Sequence, residues 1–424
     1  MALKKELGLL STTLYGIGVI LGAGIYALIA VGAGLAGNML WLAFLASAVI
    51  AVFTALSYAE LSSMFQKDAA EYNYTRRAFG IEGLSFSVGW VLAIGTMVAA
   101  STVALGFGGY FSALTGVSAQ PAAIALIGLM SLLNFWGIRE SSGFNNIATS
   151  LEMLGLIIVI AAGFIGAPAA EADYFELPPA GFAGIAAAVS VIFFAYIGFE
   201  NVANLSEEVK DSRKVVPKAL VIALLVSTLL YILVAVAAVR ELGWVALSES
   251  QAPLTLVVSR ALGGYSHVLS YIALFATANT VLMFLIAASR MLYGMAEGGS
   301  IHRGIGMVGS RGTPYMSVAA IGLGAAGVVM LSDIKTVAQL TDLAVFMAYI
   351  AVNASVIALA GAKVRRGFTS PRLAGTPVFA WLGIAASFGM LFFFPPGLWL
   401  AELAILAAGL LLFLATRANG RRAP

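Results

Sequence analysis

The chain has 424 residues, 61% of them hydrophobic and only 10% charged, with a mean hydropathy of +0.98 and a formal net charge of +3. A soluble domain is about a quarter charged, so a water-exposed globule is excluded and the apolar surface is expected to face lipid. With no cysteine and two histidines, His267 and His302, disulfides and thiolate chemistry are excluded, and a histidine-built metal centre lacks ligands.

Twelve apolar stretches follow in chain order, near 9–35, 38–65, 82–114, 121–138, 143–167, 181–205, 215–240, 260–296, 313–331, 335–361, 376–394 and 397–416. A helix crosses the hydrocarbon core with roughly 20 residues. In lipid, backbone polar groups need partners within the protein, so spans of this length are expected as helices; barrel strands are shorter and alternate. MALKKELG runs straight into the first span with no small-residue cleavage site, so no removable signal peptide is expected. With the N-terminus inside a cell membrane, all 23 Lys and Arg except Arg240, Arg260 and Lys335 fall on the cytoplasmic side. Both termini are therefore expected in the cytoplasm, and the basic balance reflects these loops rather than nucleic acid binding.

Spans 1 and 6 stand apart. Span 1 contains GVILGAGIYALIAVGAG, with Gly18, Gly22 and Gly24 at mid-depth, and span 6 contains FFAYIGFENV, with Gly198 and the ionisable Glu200. Glycine costs about 1 kcal/mol against alanine inside a helix, so the cluster needs a reason. Two are open: close helix packing through small-xxx-small spacing, or interruption of both helices. Paired interruptions at corresponding positions point to the binding site of carriers built from inverted repeats. The five-span separation suits repeats at 9–167 and 181–361, with 376–416 peripheral and 1–424 a single transmembrane domain.

If both helices open, the amides of Ala23, Gly24 and Ile25 point at the membrane centre and favour a carboxylate. The carbonyls of Phe194, Ala195 and Ile197 face the same point and favour an ammonium. Together they describe an α-amino acid. Ile20, Gly22, Tyr196 and Gly198 complete the expected contacts, and Phe194, Tyr196 and the Thr96–Ser101 stretch of span 3 would discriminate side chains.

The stretch GVILGAGIY resembles the G-x-I-x-G-[SA]-G-I-[FY] signature of the amino acid–polyamine–organocation family of permeases. SYAELSSM with EYNYTRRAFG, FFAYIGFENVANLSEEVKDSRKVVPKA, and ATANTVLMFLIAASRMLYGMAEGG with RGTPYMSV are similar to later parts of that family, in family order from residue 8 to about 320. The resemblance implies an all-α membrane protein with twelve transmembrane helices and a leucine-transporter-type five-plus-five inverted repeat. It also implies helices 1 and 6 unwound at mid-membrane, and alternating access. The chain departs from the pattern at QKDAAEY after span 2, where relatives have a proline and two glycines, and at Ser212, where a proline is usual. It departs again in span 5, where NNIATSLE puts Glu152 in place of the lysine of several proton-coupled relatives. A lysine mechanism does not carry over.

Ionisable groups at mid-depth cost at least about 2.5 kcal/mol, so each needs a role. Glu200 reads as a gate or proton carrier, or as a cap on the inner half-helix. Glu152 reads as a proton site or as a carboxylate paired with Asn145 or Ser289, with Ser289 also a thin candidate for a sodium site. Glu60 is expected to pair with a loop cation, Asp342 to belong to an outer gate or to packing, and Glu402 to a packing or oligomer contact. No nucleophile or metal constellation of an intramembrane enzyme is present, and no cofactor or metal is expected. The sequence points to secondary transport of amino acids, neutral and of broad specificity, as proton-coupled symport. The alternatives are an exchanger, a polyamine or amine transporter, and a non-transporting sensor; oligomeric state is left open.

Overall fold

The computed structural model describes residues 7–66, 70–136, 142–168, 173–206, 209–263, 266–309, 313–331 and 333–420. Its helices are α1 (Leu9–Ala36), α2 (Leu40–Met64), α3 (Ala70–Phe79), α4 (Glu82–Thr115), α5 (Ala119–Trp136), α6 (Ser142–Ile165), α7 (Gly181–Ile192) and α8 (Ser212–Leu242). They continue with α9 (Trp244–Glu249), α10 (Pro253–Leu262), α11 (Ser266–Glu297), α12 (Tyr315–Leu331), α13 (Ile334–Ala358), α14 (Val378–Leu391) and α15 (Pro396–Gly420). Strands β1 (Arg372–Leu373) and β2 (Thr376–Pro377) form a small antiparallel hairpin before α14.

Helices lie along all twelve expected stretches. Among the described residues, nine helical segments are long and apolar enough to cross a membrane, the first of them, Gly24–Met64, running from α1 into α2 through the tight turn at Gly37–Met39. Large apolar side chains such as Leu129, Leu225, Leu229, Leu411 and Leu414 point outward, as lipid-facing surface requires. Local signals set the ends. Gly116, at φ 77°, closes α4 with its amide on the Ser112 carbonyl, and the Asp333 carboxylate receives the Lys335 and Thr336 amides that begin α13.

The structure corrects three expectations. The stretch placed at 260–296 starts later, at Ser266, because α9 and α10 occupy the preceding loop. α3 was not foreseen: it carries Glu71 in its first turn and Arg76 and Arg77 in its last, matching the helix dipole, and rests on α4 and α13. Span 1 is not unwound. α1 runs without interruption through Gly22, Ala23 and Gly24, because its glycines serve close packing: a Cβ on Gly18 would meet Thr149, one on Gly22 Thr280, and one on Gly24 the Ala195 backbone.

Span 6 is broken. α7 stops at Ile192, a 3₁₀ turn carries Phe193–Tyr196, Ile197 is extended, and Gly198 has φ 113° before a second 3₁₀ segment, Phe199–Leu205. Side chains strongly disfavour that φ, and Val19 of α1 already occupies the space a Cβ would need.

Connections sort to two ends. At one end Leu7 pairs with the 209–210 segment and Thr313 reaches the Phe135 carbonyl. Glu60 there binds Arg372 at 2.6 Å and Arg366 at 3.4 Å, as expected of it, and Glu82 pairs with Arg417. At the other end Asn38 binds Glu176, Trp41 binds the Tyr174 carbonyl, Gln120 the Val329 carbonyl, and Arg240 the last carbonyls of α6. The most extensive helix contacts are α4 with α11 and α2 with α8, around α1 and the broken span.

Candidate functional site

The break and α1 meet face to face. On a helix, residues four apart share a side and residues two apart lie nearly opposite. Gly18 and Gly22 therefore face α6 and α11, while Gly24 turns the other side onto Ala195. α1 passes between α6 and the broken span with no side-chain thickness at either contact. Ile20, Ile25, Phe194, Ala195, Tyr196 and Ile197 are all buried here.

Three polar clips hold this junction. The Tyr231 hydroxyl of α8 lies 2.6 Å from the Ile20 carbonyl and 2.9 Å from the Ala195 carbonyl. Its single proton can serve only one at a time. Asp342 of α13 accepts the Phe194 amide at 3.1 Å, on the near side of the break. Glu200 accepts the Gly198 amide at 2.9 Å and the Tyr349 hydroxyl at 3.0 Å, on the far side. Asp342 and Tyr349 are two turns apart on α13, so one helix face supports both flanks of the break.

Glu152 of α6 is fully buried, and neither carboxylate oxygen completes a hydrogen bond. One oxygen lies 3.3 Å from where a Cβ on Gly22 would sit, and Thr280 of α11 packs against the same glycine. Asn279 of α11 approaches the carboxylate. The Tyr26 hydroxyl donates to the Glu152 backbone carbonyl at 3.3 Å.

The structure thus assembles Ile20, Gly22, Gly24, Ile25, Phe194, Ala195, Ile197 and Gly198 in one junction, with Glu200 and Glu152 on its borders. The Ala23 side chain and that of Asn145 lie outside the described residues. Tyr196 turns away, its hydroxyl donating to the Phe44 carbonyl of α2 at 2.9 Å. Ser289 accepts from Asn134 of α5 and sits nine residues beyond Thr280, about 13 Å along α11 at the helical rise. Asn279 and Thr280 occupy the ground expected of it. Tyr231, Tyr349, Tyr26 and Thr280 escaped the sequence reading, since a hydroxyl residue in an apolar run carries no positional signal. Asp342 was visible as a mid-span acid, though not as the partner of the break.

Two cavities lie toward opposite ends of the molecule. One, of about 350 Å³, is lined by Tyr26, Ala30, Gly106, Glu249, Gln251 and Ile334 at the end holding α9 and α10. The other, of about 220 Å³, lies between α3, α4 and α11 at the opposite end.

Residues 7–414 match the family model described as amino acid permease. The chain is 30% identical over 410 residues to the branched-chain amino acid permease BcaP of Bacillus subtilis, covering 90% of this chain and 86% of that protein. It is 29% identical over 382 residues to the vacuolar cationic amino acid transporter 4 of Arabidopsis thaliana, covering 84% of this chain and 63% of that longer protein. It is also 28% identical over 441 residues to the methylthioribose transporter of Bacillus subtilis, with 97% and 93% covered.

Proposed function

Because the chain belongs to the amino acid permease family, we propose that it carries amino acids across the cell membrane by alternating access, as a proton-coupled symporter with both termini in the cytoplasm. The observation that carries this reading is the closed junction of α1 and the broken span, with a cavity lined by Tyr26 and Ala30 of α1 on its α9 side. Substrate reaches such a junction only if Gly24 separates from Ala195. The turn from Ile20 to Gly24 is the place for α1 to yield, since the Tyr231 hydroxyl already offers the Ile20 carbonyl a second donor. Opening there would free the α1 amides for a carboxylate, opposite the carbonyls of the break.

The twelve helical stretches support twelve crossings, and their contacts support five-plus-five repeats over 9–167 and 181–361. α1 packs on α6 and α8, while the broken span packs on their counterparts five spans away, α13 and α2. The same exchange relates α4 on α13 to α11 on α6. The cationic loops gather at the end that carries α3 and the β hairpin, which supports that end as cytoplasmic.

Glu152 supports proton coupling. An ionised carboxylate with no hydrogen bond in an apolar interior needs a counter-charge, and a proton bound to the carboxylate itself supplies it without recruiting other ligands. Glu200 is already engaged by the Gly198 amide and the Tyr349 hydroxyl, so it does not stand free as the extra acid a polyamine would require, while Asp342 gives one oxygen to the Phe194 amide and keeps the other unpaired. The apolar lining from Ile20, Ile25 and Phe194 supports neutral side chains. The named relatives handle branched-chain amino acids, cationic amino acids and methylthioribose, so membership alone leaves the side chain open.

Uptake of a panel of radiolabelled amino acids into proteoliposomes, with pH and sodium gradients imposed separately, tests the reading. Accumulation should follow the pH gradient. Glu152→Gln should abolish gradient-driven accumulation by at least about tenfold while leaving exchange of internal for external substrate. Accumulation that follows sodium and ignores pH would overturn the coupling.

A further inference from the structure

The cavity of about 220 Å³ beside α3 lies apart from the junction and has a polarity of its own. One wall is a single stripe of α11, where Arg290, Met291, Gly294 and Met295 recur at helical spacing, continued by Gly298 just past its end. Gly89 of α4 and the first turn of α3 close the other sides. Gly294 faces open space, with no atom within 4 Å of where its Cβ would be. Glu71 lines the cavity while only 3% exposed, and the Tyr58 hydroxyl donates to it at 2.9 Å. Burial pushes the Glu71 carboxyl above its ordinary value against the pull of that hydrogen bond, so its ionised form gains from an arriving cation.

Glu71 and Arg290 thus share a small cavity whose remaining lining is glycine and methionine with the polar Tyr72, Asn73 and Ser300. The volume is below the roughly 300–1,000 Å³ of drug-sized pockets, so it suits one small molecule rather than a peptide or nucleotide. A zwitterion matches the polarity: ammonium on Glu71, carboxylate on Arg290, and an aliphatic side chain against the adaptable methionines. We propose that this cavity is a second amino acid site, through which amino acid accumulated on the α3 side slows further uptake. The proposal rests on the transport reading above.

The route from the cavity to the junction is physical. Tyr58, which holds Glu71, packs edge-on against Phe199 at 5.7 Å and against Tyr349 at 5.9 Å between ring centres. Phe199 follows Gly198 directly, and Tyr349 holds Glu200. An ammonium on Glu71 competes for the carboxylate that Tyr58 bonds, and so biases the packing of the segment beyond the break. The element with two arrangements is the α1 junction, open or closed.

The test uses the full chain in nanodiscs and proteoliposomes. The probes are radiolabelled L-leucine, L-alanine and L-lysine in turn, in phosphatidylcholine alone and with phosphatidylethanolamine added. Gly294→Leu fills open space on a helix and should fold; Glu71→Gln keeps an acceptor for Tyr58; Arg290→Ala removes the anion partner. For the transported probe, equilibrium dialysis should give two molecules per wild-type chain and one per Gly294→Leu chain. Internal probe should slow initial uptake at least about threefold in wild type and have little effect in Gly294→Leu, Glu71→Gln or Arg290→Ala. A wild-type stoichiometry of one, or equal slowing in wild type and Gly294→Leu, overturns the proposal. So does a second molecule that binds in phosphatidylcholine but is displaced by added phosphatidylethanolamine, which would make the cavity a lipid headgroup site. Two bound molecules without uptake of any probe would support the site while sinking transport, so the two failures are distinct.

Discussion

Tyr231 shows how one hydroxyl can tie two carbonyls of a buried junction together. It sits between two carbonyls, one from α1 and one from the broken span, inside a buried aromatic group with Tyr196 and Phe44. Tyr231→Phe keeps the ring but leaves those carbonyls without that donor. A buried acceptor left unpaired costs about 1–3 kcal/mol. The variant should unfold at a lower temperature in detergent, and an unchanged Tm would show the hydroxyl to be idle. Asp333 makes a different kind of residue-scale contribution. Burial would raise its carboxyl, but hydrogen bonds from the Thr336 hydroxyl and the Thr336 and Lys335 amides outweigh that and hold it below the ordinary 3.8. The folded state therefore releases the proton more readily than the unfolded one, so this stabilisation is present above pH 3.8 and is lost as pH falls through the lowered folded value. Asp333→Ala should cost about 1 kcal/mol near neutral pH, with the gap from wild type closing in acid. A gap that persists in acid would exclude the carboxylate cap.

At the scale of the element, α1 decides between the two readings of its glycines. A broken helix and a tightly packed one write the same letters, because both need residues without a Cβ. The distinction lies in what stands opposite: Thr149, Thr280 and the Ala195 backbone occupy the space at Gly18, Gly22 and Gly24. Gly24→Ala should therefore force α1 away from the broken span, lowering thermal stability and uptake together. Gly128 is the control, since it lies within α5 and nothing stands within 4 Å of its Cβ position. Gly128→Ala should be neutral or stabilise by up to about 1 kcal/mol. Equal effects at the two positions would mean that contact with Ala195 carries no weight. Span 6 carried the same signal, and Gly198 is set apart only by the positive φ it adopts in the structure.

For the whole molecule, alternating access requires α1 to move against its surroundings at each end in turn. A Cβ on Gly34 of α1 would lie 3.4 Å from that of Ser248 on α9. That is close to the roughly 3.5–4.5 Å separation a disulfide needs. The chain has no cysteine, so a Gly34→Cys, Ser248→Cys double variant carries a unique pair. Oxidation should cross-link it and reduce uptake at least about tenfold, with recovery in dithiothreitol. Full transport by the cross-linked protein would mean that α1 and α9 travel together throughout the cycle.

The sequence by itself determined the membrane class, the helical stretches, their ends within a few residues except at 260–296, and the family, and it raised the break in span 6 as one of two readings. These follow from short-range physics: an apolar run in lipid must be helical, and motif residues lie close together along the chain. Only the tertiary structure decided that α1 stays helical, that Asp342 and Glu200 hold opposite flanks of the break, and that Tyr196 turns toward α2. It likewise put Asn279 and Thr280, rather than Ser289, near Glu152, and opened a cavity between Glu71 and Arg290. Each of these depends on which side chain from a distant helix fills a given space, and close packing across helices leaves no periodic trace in the chain.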